Sequence, residues 1–246
     1  MDRMLYISMS SAQQIVRAQT ANNNNLANLN TTGFRGDYER FRSIPVYGDG
    51  YASRVYTASE RIATNFEQGT IQSTGRPLDV SIQGPGFIAV LGKEGQERYT
   101  RAGDFHVNPT GQLLTGTGLA VMGEGGPLII PPAEQLEIGV DGTISIRPLG
   151  GDSDELAVVG RIKLVNPDTA ALIKGTDGLI HGANGAVFPA DLQVRLASGT
   201  LETSNVNAVG ALVNMISLQR DYELQVKMMT TAEETGTASA KLLSLT

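Results

Sequence analysis

The sequence predicts an α+β chain: an N-terminal and a C-terminal helix pair as a helical, coiled-coil-like domain that brackets a central all-β domain. Three observations predict it. All ten Pro lie between Pro45 and Pro189. Of 29 Gly, none falls in residues 1–32, six fall in 33–75, 21 in 76–203 and two in 204–246. Within that breaker-rich middle, short β-type runs alternate with turn chemistry, whereas both ends carry apolar residues at helical spacing.

The first helix is read over residues 4–29, where Gly and Pro are absent. Leu5, Met9, Ala12, Val16, Asn23, Leu26 and Ala27 recur three, four or seven positions apart and form one narrow stripe. Gly33 supplies a stop. The helix is odd in one respect: Asn22, Asn23, Asn24, Asn25, Asn28 and Asn30 crowd its end. Asn competes with the helix for backbone hydrogen bonds. A buried polar position in paired helices lowers stability but sets register and oligomer state. Two readings follow, an antiparallel pair that closes one domain and a pair that also packs on neighbouring subunits, and six such residues favour the second.

Residues 33–75 are rich in Arg, Glu and Tyr, with β-type fragments at 53–57 and 70–73, and read as an extended connector. The β domain is read over 76–203. Its runs include residues 77–82, 87–91, 98–101, 105–107, 113–115, 158–165, 179–181 and 192–196. Asp141-Gly142 between 136–140 and 143–146 is the strongest hairpin signal. From 204 a second helix is read, capped by Ser204, Asn205 or Asn207. Its stripe includes Val209, Leu212, Val213, Ile216, Tyr222, Val226 and Met229.

Composition excludes several classes of function. The absence of Cys removes disulfides, thiolate metal sites and cysteine nucleophiles, and two His, His106 and His181, cannot build a histidine-rich metal centre. Net charge is −6 and no window is strongly basic, so nucleic-acid binding lacks its electrostatic footprint. No apolar run reaches the ~18 residues of a membrane span, and the start lacks the apolar core of a cleaved secretory signal. The catalytic motifs fail one by one. Gly84-Pro85-Gly86 precedes a β-type run rather than the helix a dinucleotide site needs. Gly123–Gly126 lacks the Lys of a P-loop. His106 lies near Asp104, but no serine sits in a nucleophile elbow. Asp152, Asp154 and Glu155 lie in a Gly-flanked loop that solvation explains. No catalytic, cofactor-binding or metal-binding residue is expected, and no small-molecule substrate.

Three stretches carry a resemblance. Residues 21–35 read ANNNNLANLNTTGFR. Residues 69–123 contain QGTIQSTGRPLDVSIQGPGF, YTRAGDF and NPTGQLLTGTGLAVMG. Residues 199–234 contain LETSNVNAVGALVNMISLQRDYELQVK. In order and in nearly full coverage of the chain, they are similar to the axial proteins of the bacterial flagellum, the rod and hook family. The segments at 75–79, 123–127, 160–165 and 242–244 resemble the proximal-rod branch, and 83–87 stays closer to the shared pattern that the distal-rod branch also carries.

The resemblance implies a structural, non-enzymatic subunit of the basal-body rod, in which paired terminal helices line an inner tube around an export channel and the sheet domain lies outside. It implies other rod proteins and the flagellar type III export apparatus as partners, and a place in the periplasm reached without a cleaved signal. It also implies that the narrow apolar stripes pair the two helices, while Asn22–Asn25, Asn28 and Asn30 satisfy neighbours or face the wet bore. The competing expectation, from another class, is a soluble enzyme or binding module with a β domain and a helical cap.

Overall fold

A computed structural model describes residues 3–45, 55–148 and 156–244. Among these, a long helix α1 (Arg3–Ala27) opens the chain and a longer one, α2 (Ala208–Ser244), closes it. At about 1.5 Å per residue, they extend roughly 37 Å and 55 Å. Eighteen strands lie between them, and the chain divides into two compact units: residues 1–28, 36–65 and 206–246 form a helical unit, and residues 29–35 and 66–205 a β unit.

In the helical unit, α1 and α2 pack together and run antiparallel: Asn22, near the end of α1, donates from Nδ2 to the carbonyl of Ala211 at the start of α2. The unit also holds strands β1 (Asp37–Pro45) and β2 (Val55–Thr64), which pair as an antiparallel hairpin from Asp37 opposite Thr64 to Pro45 opposite Val55 and pack on α1. The stretch 33–75, read from the sequence as one extended connector, is thus divided. Its first residues join the β unit, its middle is a hairpin beside α1, and its end returns to the β unit as β3 (Ile71–Ser73). The physical reason lies in the backbone: two strands of nine and ten residues satisfy each other's N–H and C=O groups, which a lone connector cannot do. Residues 53 and 54 of the expected fragment lie outside the described residues.

The β unit is built on a nine-stranded sheet. Its strands are β5 (Phe87–Leu91), β6 (Glu97–Thr100), β7 (Phe105–Val107), β8 (Leu113–Thr115), β9 (Ala120–Gly123), β10 (Gly126–Pro127), β14 (Leu164–Val165), β15 (Leu172–Lys174) and β16 (Ile180–Gly182). The path runs β15-β16-β6-β5-β9-β8-β7, with β10 on β9 and β14 on β5. A three-stranded sheet joins β11 (Ala133–Ile138), β12 (Thr143–Pro148) and β13 (Ala157–Arg161), its first pair being the Asp-Gly hairpin. Two short pairs complete the unit: β4 (Val80–Gln83) with β17 (Arg195–Ser198), and β3 with β18 (Thr200–Glu202).

Strand β5 shows why this unit is firm. Its side chains alternate by two, so Ile88 and Val90 enter one buried cluster, with Val80, Ile82, Phe105 and Leu113, while Phe87 and Ala89 enter another, with Tyr99, Val165 and Ile180. A strand buried on both faces reads as a continuous apolar run, as Phe87–Leu91 does. Tyr99 keeps its hydroxyl satisfied by accepting from the N–H of Phe188 at 2.9 Å, and burial pushes its pKa up to about 12.

Candidate functional site

The seam between α1 and α2 follows a three-four spacing: Leu5, Ser8, Ala12, Ile15, Gln19, Asn22 and Leu26 on one helix, and Ala211, Met215, Leu218, Tyr222, Gln225, Met229 and Ala232 on the other. The fully buried members are Ser8, Ala12 and Asn22 with Ala211, Leu218 and Ala232. This is the alternation of a coiled-coil seam, and its most buried positions carry mainly small side chains. Small residues let two backbones approach closely at those positions, and several larger apolar side chains are left on the flanks.

That choice divides the residues expected to pack. Leu5, Ala12, Leu26, Tyr222 and Met229 stand in the seam, Tyr222 with over a third of its surface still open. Met9, Val16 and Asn23 stand one position off it and are exposed. So are Val209, Leu212, Val213, Ile216 and Val226. The stripe read from the sequence therefore fell partly one position off the seam and missed Ser8, Ile15, Gln19, Ala211 and Gln225. The heptad spacing of small and amide residues was the available signal. On α2, Val209, Val213 and Ile216 near its start are each at least half exposed, as are Leu224, Leu242 and Leu243 further on.

The amide tract is partly used within the chain. Asn22 donates into α2 at 2.9 Å. Asn25 makes a reciprocal pair with the backbone of Asp37, donating from Nδ2 to its carbonyl at 2.6 Å and accepting its N–H at Oδ1 at 2.8 Å. That pair fixes the start of β1 against the helix. Asn28, half-buried just past α1, donates to the carbonyl of Asn24. Asn23, Asn24 and Asn30 are exposed.

Where residues 29–35 enter the β unit, the chain is held by a buried charged cluster that sequence reading missed. Gly33, at φ +65°, lies so close to the Arg101 backbone that a Cβ would come within 2.3 Å of it, so only Gly fits. Its N–H donates to the carbonyl of Glu202. The Glu202 carboxylate, fully buried, accepts from the Gly69 N–H and from Arg101 Nη1, and lies 2.6 Å from Arg35 Nη2. Burial pulls the Arg35 pKa below its ordinary value, opposed by Glu202 and reinforced by Arg101. Lys174 caps the segment: its Nζ lies 3.9 Å from the Phe34 ring centroid and near enough to donate to the Arg35 carbonyl.

Arg101 also settles the glycine turn at 84–86. It donates from Nη2 to the Gly84 carbonyl and from Nε to the Gly86 carbonyl, and a strand follows. The turn therefore serves an arginine and has no helix to meet a phosphate. His106 is exposed on β7, and Asp152, Asp154 and Glu155 lie outside the described residues.

Two family models match this chain. One, described as the flagellar basal body rod FlgEFG protein C-terminal, matches residues 197–242; the other, described as the flagellar hook protein FlgE/F/G D1 domain, matches residues 81–146. The chain is 38% identical to the flagellar basal-body rod protein FlgF of Salmonella typhimurium and 37% identical to that of Escherichia coli, in each case over the whole of both chains. It is also 33% identical to the flagellar basal-body rod protein FlgG of Bacillus subtilis, over 94% of this chain and 96% of that one.

Proposed function

The chain belongs to the flagellar basal-body rod protein family and is a structural subunit of that rod; from this premise we propose how it works there. It occupies the proximal rod, in the periplasmic part of the basal body. Its neighbours are other rod proteins, and it arrives unfolded through the flagellar type III export apparatus without losing a signal peptide. It transmits torque around the export channel and catalyses nothing. The lack of Cys suits the journey, because no disulfide can form early in an oxidising compartment.

One observation carries the assembly reading: the exposed apolar set Val209, Leu212, Val213 and Ile216 beside an already complete helical seam. Covering the half or so of each such side chain that is still open is worth about 1 kcal/mol. The covering surface is supplied by side chains of adjacent subunits that stand off the seam, Met9, Val16, Asn23 and Val226 among them, through heterologous contacts that do not close into a ring. Amides such as Asn23 set the register of those contacts.

A strain deleted for this chain should stop rod growth before the distal rod, with no outer rings or hook. Completed rods in that strain would overturn the proposal. The second reading, a distal-rod subunit, is favoured by the long match to FlgG of Bacillus subtilis. A distal element polymerises on itself over many turns. Concentrated purified protein that forms long tubes near neutral pH would replace the proximal assignment with this one.

A further inference from the structure

Two carboxyl groups face each other in the β unit. Asp79, just before β4, and Asp104, just before β7, pair across an isolated antiparallel bridge. The backbones there are as close as backbones can be: Val80 N–H donates to the Gly103 carbonyl at 2.9 Å, and a Cβ on Gly103 would lie 1.8 Å from the Val80 oxygen. Residues opposite each other in such a bridge have Cβ atoms about 4.5–5.5 Å apart on one face. The Asp104 carboxyl cannot swing away either. It fills the space a Cβ of Gly116 would take, 1.8 Å from Oδ2, and accepts the Gly116 N–H.

Asp79 is 1% exposed, and neither of its carboxylate oxygens has a hydrogen-bond partner; Asp104 Oδ1 also lacks one. The charged groups facing the pair are few. Arg76 places Nη1 3.5 Å from Asp79 Oδ1, but its side chain is 60% exposed and the pairing is weak. His106 is exposed beyond Asp104 on β7. The turn at 198–199 presents only uncharged groups, with Gly199 N–H donating to the Asp79 carbonyl.

Three oxygens on these two carboxyls make no hydrogen bond, and a proton held between two of them supplies a donor where the side chains offer none. We propose that Asp79 and Asp104 share one proton across the bridge, so that the β unit closes most firmly with the proton in place and loosens when it is lost. Burial raises the Asp104 pKa above its ordinary value; the backbone N–H groups of Asp104 and Gly116 oppose the rise, Asp79 adds to it and His106 opposes it. The folded chain therefore keeps a proton that the unfolded chain releases near 3.8. The stabilisation is whole below that value and is lost as pH rises through the raised value of Asp104.

The test is urea unfolding of the full chain from pH 4 to 9, alone and with calcium or magnesium chloride. In the window where the pair loses its proton, the folded-to-unfolded ratio of the wild type should fall by up to about tenfold per pH unit. Asp104→Asn, whose amide donates to Asp79 without titrating, should remove that fall and exceed the wild type at alkaline pH. An unchanged fall in Asp104→Asn overturns the proposal. So does stabilisation by either cation that Asp104→Asn abolishes, which would make the pair a cation site. Should Asp104→Asn not fold, carbon-13 carboxyl NMR of the wild type decides: titration of Asp104 above the ordinary carboxylate range supports the shared proton, and titration within that range overturns it.

Discussion

In the β unit the large side chains are inside: Tyr99, Phe105, Ile82, Ile88 and Leu113 are all fully buried, and two buried guanidinium groups meet on Glu202. In the helical unit the buried side chains are Ser8, Ala12, Ala18, Asn22, Ala211, Leu218 and Ala232, while Tyr6, Met9, Val16, Val209, Val213 and Ile216 stand outside. The β unit thus gains its apolar burial from its own chain. The helical unit gains close approach and register from its own chain and leaves much of its apolar surface for something else to cover. One chain can therefore hold a part that folds alone beside a part whose stability belongs to an assembly.

The largest expected contrast is in hydrogen exchange of the lone monomer. Most helical stability in proteins comes from packing an apolar face and this seam buries few large side chains, so residues 1–30 and 206–246 should exchange nearly freely, while strands across 80–200 should be protected by about 5 kcal/mol or more. Equal protection of the ends in a verified monomer would erase the comparison. Next in size, Glu202→Ala strands two buried guanidinium groups and should cost the β unit about 3–5 kcal/mol in chemical denaturation. A loss under about 1 kcal/mol would mean that the cluster is not the anchor described.

A smaller effect is expected at the Asp-Gly hairpin. The Thr143 hydroxyl and then its N–H hold the Asp141 carboxyl below the usual range, with burial opposing. That contribution is present above the ordinary value of 3.8 and is lost as pH falls through the lowered one. Asp141→Ala should cost about 1 kcal/mol at neutral pH and less in acid, read from melts at both. The smallest effect on the lone chain is that of Ile216→Asp, within about 0.5 kcal/mol because the residue is half exposed. The same change should abolish swimming, since it places a charge on a surface meant to be covered. Normal swimming would show that the face is not packed.

The fold was legible wherever patterning and punctuation agreed. Breaker-free ends marked both helices, and Asp141-Gly142 marked its hairpin because only a tight turn suits that dipeptide. The hairpin β1–β2 was not legible, because a charge-rich stretch between two helices carries no alternation strong enough to call for a partner strand. The helical seam was legible only in part for a physical reason: the stripe held Leu5, Ala12, Leu26, Tyr222 and Met229, whereas Ser8, Asn22 and Ala211, where the two backbones meet, carry little apolar signal. The Glu202 cluster had no local signature, since Arg35, Gly69, Arg101 and Glu202 are distant in sequence and only the folded chain brings them together. The rod family was legible in the stretches at 21–35, 69–123 and 199–234, and relatives aligned over the whole chain bear it out.

The contact of Asn22 with Ala211 joins residues 189 positions apart, and that of Arg35 with Glu202 spans about 170. Both units are therefore closed by the last part of the chain to be made. At about 5–20 residues per second of synthesis, Arg35 waits roughly ten to thirty seconds for its carboxylate. Until Glu202 and α2 emerge, a nascent chain has neither its helical pair nor its buried cluster, and closing loops of that length is slow in any case. Delay is thus written into the connectivity: the chain stays pliable for as long as it is incomplete.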